Sequence, residues 1–359
     1  MASRSFTPAR RRLTALRLTA LGIASPAAES PVAAVRHLLA LQAQDYAGAL
    51  WSIGVRTPGA TAASVEAAHH AGDFVRSWPF RSTLHFVTGV DLGWMLSLTA
   101  DREHAKAAGR HRELELTAAD FDRAEHIARE RLHGGARLER RELLTAFVDG
   151  GLGIDGQRGA HLLGRLAQSG VAVLCGQNTW TLLDDHVPNP RHLDREAALA
   201  ELARRYLSAR GPATDRDLAW WTGLTLTDAR AAIASVDDEF DRLDLDGVTY
   251  RLRPGLEEAA AGVHLLPGFD EYMLGYGDRA APLAGRDLGD VVPGKNGMFL
   301  STIIVDGEIV GTWRRTLRAK DVEVTIQPWT ELSGTARRGV QRAADRYAAH
   351  LGVPLRGPV

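Results

Sequence analysis

Residues 211–252, GPATDRDLAWWTGLTLTDARAAIASVDDEFDRLDLDGVTYRL, decide the fold. Thr214 follows a Gly-Pro break and stands where it would cap a short helix that ends at a glycine. A second capped helix follows, and then two alternating strands flank Asp246-Gly247, a strong β-hairpin signal. With the amphipathic helix just upstream, this order of three helices and a hairpin predicts a winged helix over residues 194–254, a relative of the helix-turn-helix.

The same order of elements occurs twice more upstream. Residues 117–188 contain three amphipathic segments and two short apolar strands with a turn near residues 176–178. Residues 11–90 contain a serine cap before Pro31, further helical segments and a closing pair of strands with a turn that contains Pro79. The sequence therefore predicts three tandem winged helices, with a helix over residues 91–116 bridging the first two.

The remainder of the chain, residues 262–352, has a different pattern. Alternating strands flank a second Asp-Gly turn at Asp306-Gly307, a Gly- and Pro-rich loop precedes them, and an amphipathic helix closes the chain. This pattern predicts a small antiparallel sheet covered by a helix. The fold class expected for the whole chain is therefore α+β.

Length and composition set limits on the function. A chain of 359 residues exceeds one compact core, so two or three domains are expected. No apolar run reaches the length of a membrane span, and no clear secretory signal is present, so we expect a bacterial cytoplasmic protein. The single cysteine, Cys175, excludes an internal disulfide or a cysteine-based zinc site. No metal-ligand spacing or cofactor motif is found, so neither a metal nor a cofactor is expected.

Net charge gives no strong support to nucleic-acid binding. The formal charge of -1 is unusual for a DNA-binding protein, although local basic clusters exist. Winged helices bind DNA in some proteins and serve as protein-binding modules or spacers in others. Both alternatives stay open on the residues alone.

The stretch HLLALQAQDYAGALW, residues 37–51, raises a chemical question. Its apolar spacing predicts a helix that continues into two glutamines, Gln42 and Gln44, separated by one alanine. Amides are costly to bury and too weak to act as bases. They either bond free carbonyls at the end of a helix or take part in a reaction that needs no strong base.

Six segments together resemble the winged-helix DNA glycosylases of the AlkZ/YcaQ type, which repair interstrand crosslinks. The resemblance extends over nearly the whole chain, and the segments are LQAQDYAGALWSIGVR, RSTLHFV, WTLLDDHVP, GPATDRDLAWWTGL, FDEYMLGYGDR and GEIVGTWRR. It implies tandem winged helices in a C-shaped scaffold around duplex DNA. It also implies hydrolysis of the N-glycosidic bond of N7-alkylated guanine, including bases tied into crosslinks.

The resemblance also suggests roles for particular residues. The family motif of glutamine, an apolar residue, then glutamine or aspartate falls on Gln42 and Gln44, so both are expected to be catalytic and the chain resembles the double-glutamine branch. That branch implies self-resistance to a DNA-alkylating natural product. Asp45 is expected to cap the next helix rather than act as a base, and His85 to be a strand residue of the core rather than a base. Asp270 and Glu271 either supply a carboxylate to the site or pair with arginine.

Two further expectations concern DNA and the reaction type. Phosphate contacts are expected from five basic residues: Arg81, Arg314, Arg315, Arg318 and Lys320. For Arg314 and Arg315, an ordinary solvated strand end is an equally good explanation. The chain has only three lysines, Lys106, Lys295 and Lys320, so a Schiff-base lysine is not expected. We therefore expect a monomeric, monofunctional glycosylase with a site open to solvent and no protein partner. The rivals are a non-catalytic winged-helix DNA-binding protein or transcription regulator, and a protein-binding scaffold.

Overall fold

A computed structural model describes residues 6–260, 262–294 and 297–359 of the chain. Within these ranges, helices alternate with three antiparallel sheets. Lys295, one of the three lysines for which no Schiff-base role is expected, lies outside the described residues.

The first part of the chain packs helices around two paired strands and one added strand. Pro31 stands at the start of its helix and Ser30 caps it, its hydroxyl accepting from the backbone N–H of Ala33 at 3.2 Å. The elements are α1 (Pro8–Ala20), α2 (Pro31–Leu38), β1 (Ala40–Gln42), α3 (Tyr46–Arg56), α4 (Ala62–Ala71), β2 (Val75–Phe80), β3 (Thr83–Val87) and the long α5 (Gly89–Glu113).

The second part repeats the order of helices and a hairpin. Its strands join those of the first part, because Arg76 of the first hairpin pairs with Leu174 of the second. The elements are α6 (Ala118–Leu132), β4 (Leu138–Glu139), α7 (Arg140–Asp149), α8 (Arg158–Gln168), β5 (Ala172–Leu174), β6 (Thr179–Leu182) and α9 (Leu183–His186). The shared sheet has the strand order β1-β3-β2-β5-β6-β4.

The third part forms a separate two-stranded sheet. Thr214 caps its second helix through a capping box with Asp217, as the sequence predicts. The hairpin turns at Asp246 and Gly247, both with positive φ, the conformation that an Asp-Gly turn favours. The elements are α10 (Arg195–Arg210), α11 (Asp215–Thr222), α12 (Leu226–Ala234), β7 (Asp241–Leu245) and β8 (Val248–Leu252).

The last part is a four-stranded antiparallel sheet with the order β12-β11-β10-β9. The closing helix packs against β9, and Trp51 of α3 joins Trp313 and Tyr347 in the core between them. The elements are β9 (Val263–Leu266), α13 (Glu271–Leu274), α14 (Ala280–Leu283), β10 (Ser301–Val305), β11 (Glu308–Leu317), β12 (Val322–Pro328) and α15 (Gly334–Leu351).

Two local predictions are wrong. The predicted helix through Gln44 ends at Leu38, because Leu39 takes a φ of 63° and a ψ of −55° and turns the chain into β1. The first hairpin turns at Arg81 and Ser82, both with φ of 51°, whereas Pro79 lies within β2 at a register irregularity. Proline lacks a backbone N–H, so it is tolerated there, where the regular ladder is interrupted.

The α+β class expected from the sequence is confirmed. The division into three winged-helix units, their C-shaped arrangement and the exact domain boundaries stay interpretations of the element order.

Candidate active site

The two glutamines lie on one face of an extended segment. β1 pairs antiparallel with β3, so that Gln42 stands opposite His85. Pairing continues for one more residue, since the N–H of Ala43 donates to the carbonyl of Leu84 at 2.7 Å. Successive side chains of an extended chain point to opposite faces. Gln42 and Gln44 therefore share a face, with the apolar Ala43 directed into the core.

The amide pair stands at the boundary between the core and solvent. Gln42 is only 5% exposed, whereas Gln44 is exposed. The amide nitrogen of Gln42 donates to the side-chain oxygen of Gln44 over 3.4 Å. This leaves the Gln42 carbonyl oxygen as an acceptor at the inner end of the pair and the Gln44 amide nitrogen as a donor at the outer end.

A buried ion pair supports β1 from behind. The side-chain oxygen of Glu271 accepts from the backbone N–H of Gln42 at 3.0 Å, and the other oxygen pairs with Arg210 at 2.8 Å. Trp221 donates its indole N–H to the same carboxylate at 2.9 Å. Burial by itself would raise the pKa of Glu271, but the charge of Arg210 and these hydrogen bonds outweigh it and lower the pKa. Glu271 is therefore a buried anion.

Arg210 also fixes the turn that leads into β1. Its guanidinium donates to the carbonyls of Leu38 and Ala40, each at 2.7 Å, on the two sides of Leu39. The unusual backbone of Leu39 thus has its flanking carbonyls held by one fully buried cation. This contact sets the position at which the glutamine strand begins.

Asp270 forms a second buried pair rather than facing an open site. Arg56 donates to both of its oxygens, at 2.8 and 3.0 Å, and the Ser52 hydroxyl bonds the same carboxylate. Asp270 also accepts from the backbone N–H of Tyr272 at the start of α13. Burial would raise the pKa of Asp270, but Arg56 and the hydrogen bonds lower it. Of the two alternatives for Asp270 and Glu271, arginine pairing is what the structure contains.

His85 is a buried strand residue opposite Gln42. Its Nδ1 lies 2.8 Å from the carbonyl of Thr83, so Nδ1 carries the proton in the neutral ring. Its Nε2 is buried and has no hydrogen-bond partner among the described residues. Burial and the nearby positive charge of Arg81 lower the pKa of His85 to about 4, although Glu271 opposes the shift. The imidazole is therefore neutral at physiological pH.

Asp45 and Arg76 border the exposed side of the pair. Asp45 stands at the N-cap position of α3, as expected, but its side chain makes no capping hydrogen bond and is exposed. The guanidinium of Arg76 donates to the carbonyl of Ala43 at 2.8 Å and to that of Gln177 at 2.9 Å. Arg76 therefore ties the glutamine segment to the turn of the second hairpin.

The predicted DNA-binding residues lie in two places. Arg81 is at the β2–β3 turn, whereas the other four lie on or beyond β11, in the hairpin with β12. Arg314 and Lys320 are exposed, and the guanidinium of Arg315 lies 5.9 Å from the ring centre of Tyr347. Arg318 is paired with Glu323 at 2.8 Å. At the tip, Leu317 is 61% exposed, an unusual position for a leucine.

Three supporting residues were missed from the sequence. Arg56, Arg76 and Arg210 hold the strand and its flanks from the interior, yet in the sequence they resemble any other arginine. A signal was available only for Arg210, which precedes the Gly-Pro break, and that signal indicates a helix end rather than a role. Within residues 6–260, 262–294 and 297–359 no group of side chains could hold a metal ion, and no helix is long and apolar enough to cross a bilayer.

Comparison with known proteins gives first the class of protein. The structure superimposes on the Streptomyces sahachiroi DNA glycosylase AlkZ with a TM-score of 0.79, over 96% of this chain and 98% of that one, at 24% identity. The fold is therefore that of a solved DNA glycosylase. A relative from the same organism, the interstrand DNA cross-link repair glycosylase, is 26% identical over 347 residues, covering 89% of this chain and 90% of the relative.

The family model described as DNA glycosylase AlkZ-like matches residues 35–350. The chain belongs to the AlkZ-like DNA glycosylase family. The family expected from the sequence and the enzyme class, a DNA glycosylase, are both confirmed.

Proposed function

We propose that this glycosylase hydrolyses the N-glycosidic bond of N7-alkylated guanine in duplex DNA, and that Gln42 and Gln44 direct the reaction. The observation that carries the proposal is the geometry of the pair: two neutral amides joined by a hydrogen bond at the end of β1, one buried and one exposed. A paired carboxylate behind the strand, Glu271, holds the backbone in place. No free carboxylate is needed if the leaving base is already activated.

The chemistry fits such a substrate. Guanine alkylated at N7 carries a positive charge, so the bond between C1′ and N9 breaks with its electron pair passing to the base, which leaves neutral. Water adds to the oxocarbenium-like sugar and loses its proton to solvent. A glutamine carbonyl can accept a hydrogen bond from that water and face the positive sugar as a fixed dipole. It need not remove a proton before the bond breaks.

Crosslink unhooking follows from an open site. A crosslinked guanine is tethered to the opposite strand, so it cannot be extruded fully into a deep pocket. The exposure of Gln44 supports a site that a tethered base can reach. The relative named as an interstrand DNA cross-link repair glycosylase supports the same substrate class. We extend the proposal to self-resistance against a DNA-alkylating metabolite in the cytoplasm of a bacterium.

DNA binding is assigned to the concave side of a monomer built from three winged-helix units. The β11–β12 hairpin presents Arg314, Arg315 and Lys320 around an exposed leucine, which supports contact with phosphates and a groove. Arg318 is already neutralised by Glu323, so its contribution to phosphate binding should be smaller.

The reaction should be monofunctional. Lys106 pairs with Glu103 at 2.5 Å on α5, and Lys320 lies in the turn of the β11–β12 hairpin. Glu103 also accepts from Ser82 at the β2–β3 turn, so the amine of Lys106 is engaged in an ion pair there and is not a free nucleophile. Treatment of enzyme and damaged DNA with borohydride should therefore trap no covalent adduct. A trapped adduct would show Schiff-base chemistry and contradict this assignment.

The direct test uses a duplex that contains N7-methylguanine. The proposal predicts release of free 7-methylguanine and an abasic site in an intact strand. A transcription regulator would instead bind one sequence tightly and release no base. A protein-binding scaffold would show negligible affinity for duplex DNA even at low salt.

A further inference from the structure

Two arginines stack on one tryptophan next to the glutamine strand. The guanidinium of Arg81, at the β2–β3 turn, lies 4.2 Å from the ring centre of Trp220 on α11. The guanidinium of Arg279, just before α14, lies 4.1 Å from the same ring. Three separate parts of the chain thus meet in one arrangement, which we call the Arg-Trp-Arg cluster. Cation–π attraction holds each cation against the indole.

The positive charges of the cluster are not neutralised within the described residues. Among the residues that the structure describes, neither guanidinium has a carboxylate within ion-pairing distance. Arg279 Nε donates to the Met273 carbonyl at 2.7 Å. Arg81 Nε and Arg279 Nη2 are buried without a hydrogen-bond partner. Burial and the charge of Arg81 lower the pKa of Arg279 to about 10, so Arg279 remains a cation at neutral pH. Burial also lowers the pKa of Arg81.

The nearest carboxylates are engaged elsewhere. Glu103 bonds Lys106 and Ser82, each at 2.5 Å, and Glu271 pairs with Arg210. Asp217 accepts from the backbone N–H groups of Thr214 and Gly277, at 3.0 and 2.9 Å. Within the described residues the two like charges therefore have no direct ion-pair partner. The exposed Asp278, next to Arg279 in the sequence, acts on Arg279 from beyond ion-pairing distance. Such an arrangement is stabilised by an anion from outside.

The register of the sheet indicates where such an anion would lie relative to the glutamines. Gln42 stands opposite His85 and Ala43 bonds Leu84, so the segment that carries Gln44 runs toward the turn at Arg81. Pairing ends at Ala43 and Leu84, and the turn at Arg81 lies three residues from Leu84 along the chain, about 10 Å at the rise of a strand. An anion on the Arg-Trp-Arg cluster would therefore lie close to the amide pair.

We propose that Arg81 and Arg279 together bind one phosphodiester of the DNA strand that carries the damaged nucleotide, with Trp220 fixing their separation. A guanidinium matches a phosphate with paired N–H donors and keeps its charge at any physiological pH. The assignment rests on the proposed function, because that function supplies DNA as the anion. It makes the cluster a positioning site that sets which nucleotide faces Gln42 and Gln44.

The test is the salt dependence of binding to undamaged duplex DNA. Each phosphate neutralised contributes about 0.9 to the slope of log K against log salt concentration. The Arg81→Gln/Arg279→Gln double variant should reduce that slope by about 0.9 and weaken affinity about tenfold, independent of sequence. Arg81→Lys/Arg279→Lys, which keeps both charges, should retain the wild-type slope.

The control is Arg204→Gln, which removes one positive charge that is already paired, whereas the double variant removes two that are not. Arg204 already pairs with Glu239 at 2.6 Å, so the slope should not change. An unchanged slope in the glutamine double variant would overturn the proposal, even if affinity fell, because it would indicate a purely structural role. A decrease of about 1.8 in the slope would also overturn the proposal, since the cluster would then bind two phosphates.

Release of 7-methylguanine by the wild type is measured alongside. A reduced slope in the double variant with no base release by the wild type would refute the proposed function and retain the phosphate site. Base release with an unchanged slope would refute the phosphate site alone.

Discussion

His85 is a buried histidine opposite Gln42 that makes the stability of the fold depend on pH. Its neutral ring faces the glutamine strand, and its Nε2 has no partner among the described residues. His69 and His264 are buried in the same way elsewhere in the fold. Burial is the main cause that lowers the pKa of all three to about 4, against an ordinary value near 6.5. The sequence predicted that His85 lies on a strand, but not that its ring is neutral.

These histidines should make stability fall in mildly acidic solution. The unfolded chain takes up their protons as pH falls below about 6.5, whereas the folded chain resists until about pH 4. The free energy of unfolding should therefore be greatest above about pH 6.5 and decrease between pH 6.5 and 4. Each histidine contributes up to roughly 3 kcal/mol of that decrease. Urea unfolding at a series of pH values measures it.

The contribution of His85 is isolated by His85→Asn, whose amide can still donate to the Thr83 carbonyl. Between pH 6.5 and 4, the free energy of unfolding of this variant should decrease less than that of the wild type. The slope of that free energy against pH should differ by the equivalent of about one proton. The exposed His126, changed to asparagine, is the control and should leave the slope unaltered. An identical slope for His85→Asn and wild type would contradict a neutral buried ring.

At the scale of elements, β1 is a strand that the sequence did not predict. The pattern HLLALQ has helical apolar spacing, but the helix stops at Leu38 because Leu39 adopts a positive φ. The carbonyls on both sides of that residue bond Arg210, which lies about 170 positions away in the chain. Local periodicity carries no information about a contact between such distant residues. The helix predicted for the segment with Gln42 and Gln44 was therefore wrong, although the motif that they form was recognised.

Breaking this contact should destabilise the protein strongly. Arg210→Met leaves Glu271 as an unpaired buried anion and frees the carbonyls of Leu38 and Ala40. We expect a loss of about 3–5 kcal/mol in the free energy of unfolding, measured by chemical denaturation.

The matched control for that measurement is Arg204→Met, which breaks the exposed pair with Glu239. It should destabilise the protein much less than Arg210→Met, because solvent screens an exposed pair. Equal losses in the two variants would show that the buried pair does not hold the strand.

Across the whole molecule, prediction succeeded where the signals are local. Helix caps such as Thr214 and turns such as Asp246-Gly247 and Asp306-Gly307 fix the ends of elements by short-range hydrogen bonds and backbone preference. The element order and the α+β class follow from them. The joining of the first two hairpins into one six-stranded sheet was not predicted, because it depends on one long-range pairing between Arg76 and Leu174.

The candidate site shows the same difference between local signals, which the sequence contains, and long-range contacts, which it does not reveal. The catalytic role of the glutamine pair is a prediction from the family motif, whereas the contacts of the buried arginines and the Arg-Trp-Arg cluster form only where distant segments meet. From the sequence, Asp270 and Glu271 were expected either to supply a carboxylate to the site or to pair with arginine. In the structure they pair with Arg56 and Arg210, respectively, and the proposed reaction therefore relies on the amides.

The most direct measurement is the single-turnover rate of 7-methylguanine release by Gln42→Ala and Gln44→Ala, with duplex affinity determined in parallel. Gln341→Ala, an amide on α15 that bonds Asp345, is the control and should retain the wild-type rate. We predict that each of the first two variants loses about a hundredfold or more in rate while binding DNA as the wild type does, since each removes a preorganised dipole at the reacting sugar. Wild-type rates in both variants would contradict catalysis by the amide pair.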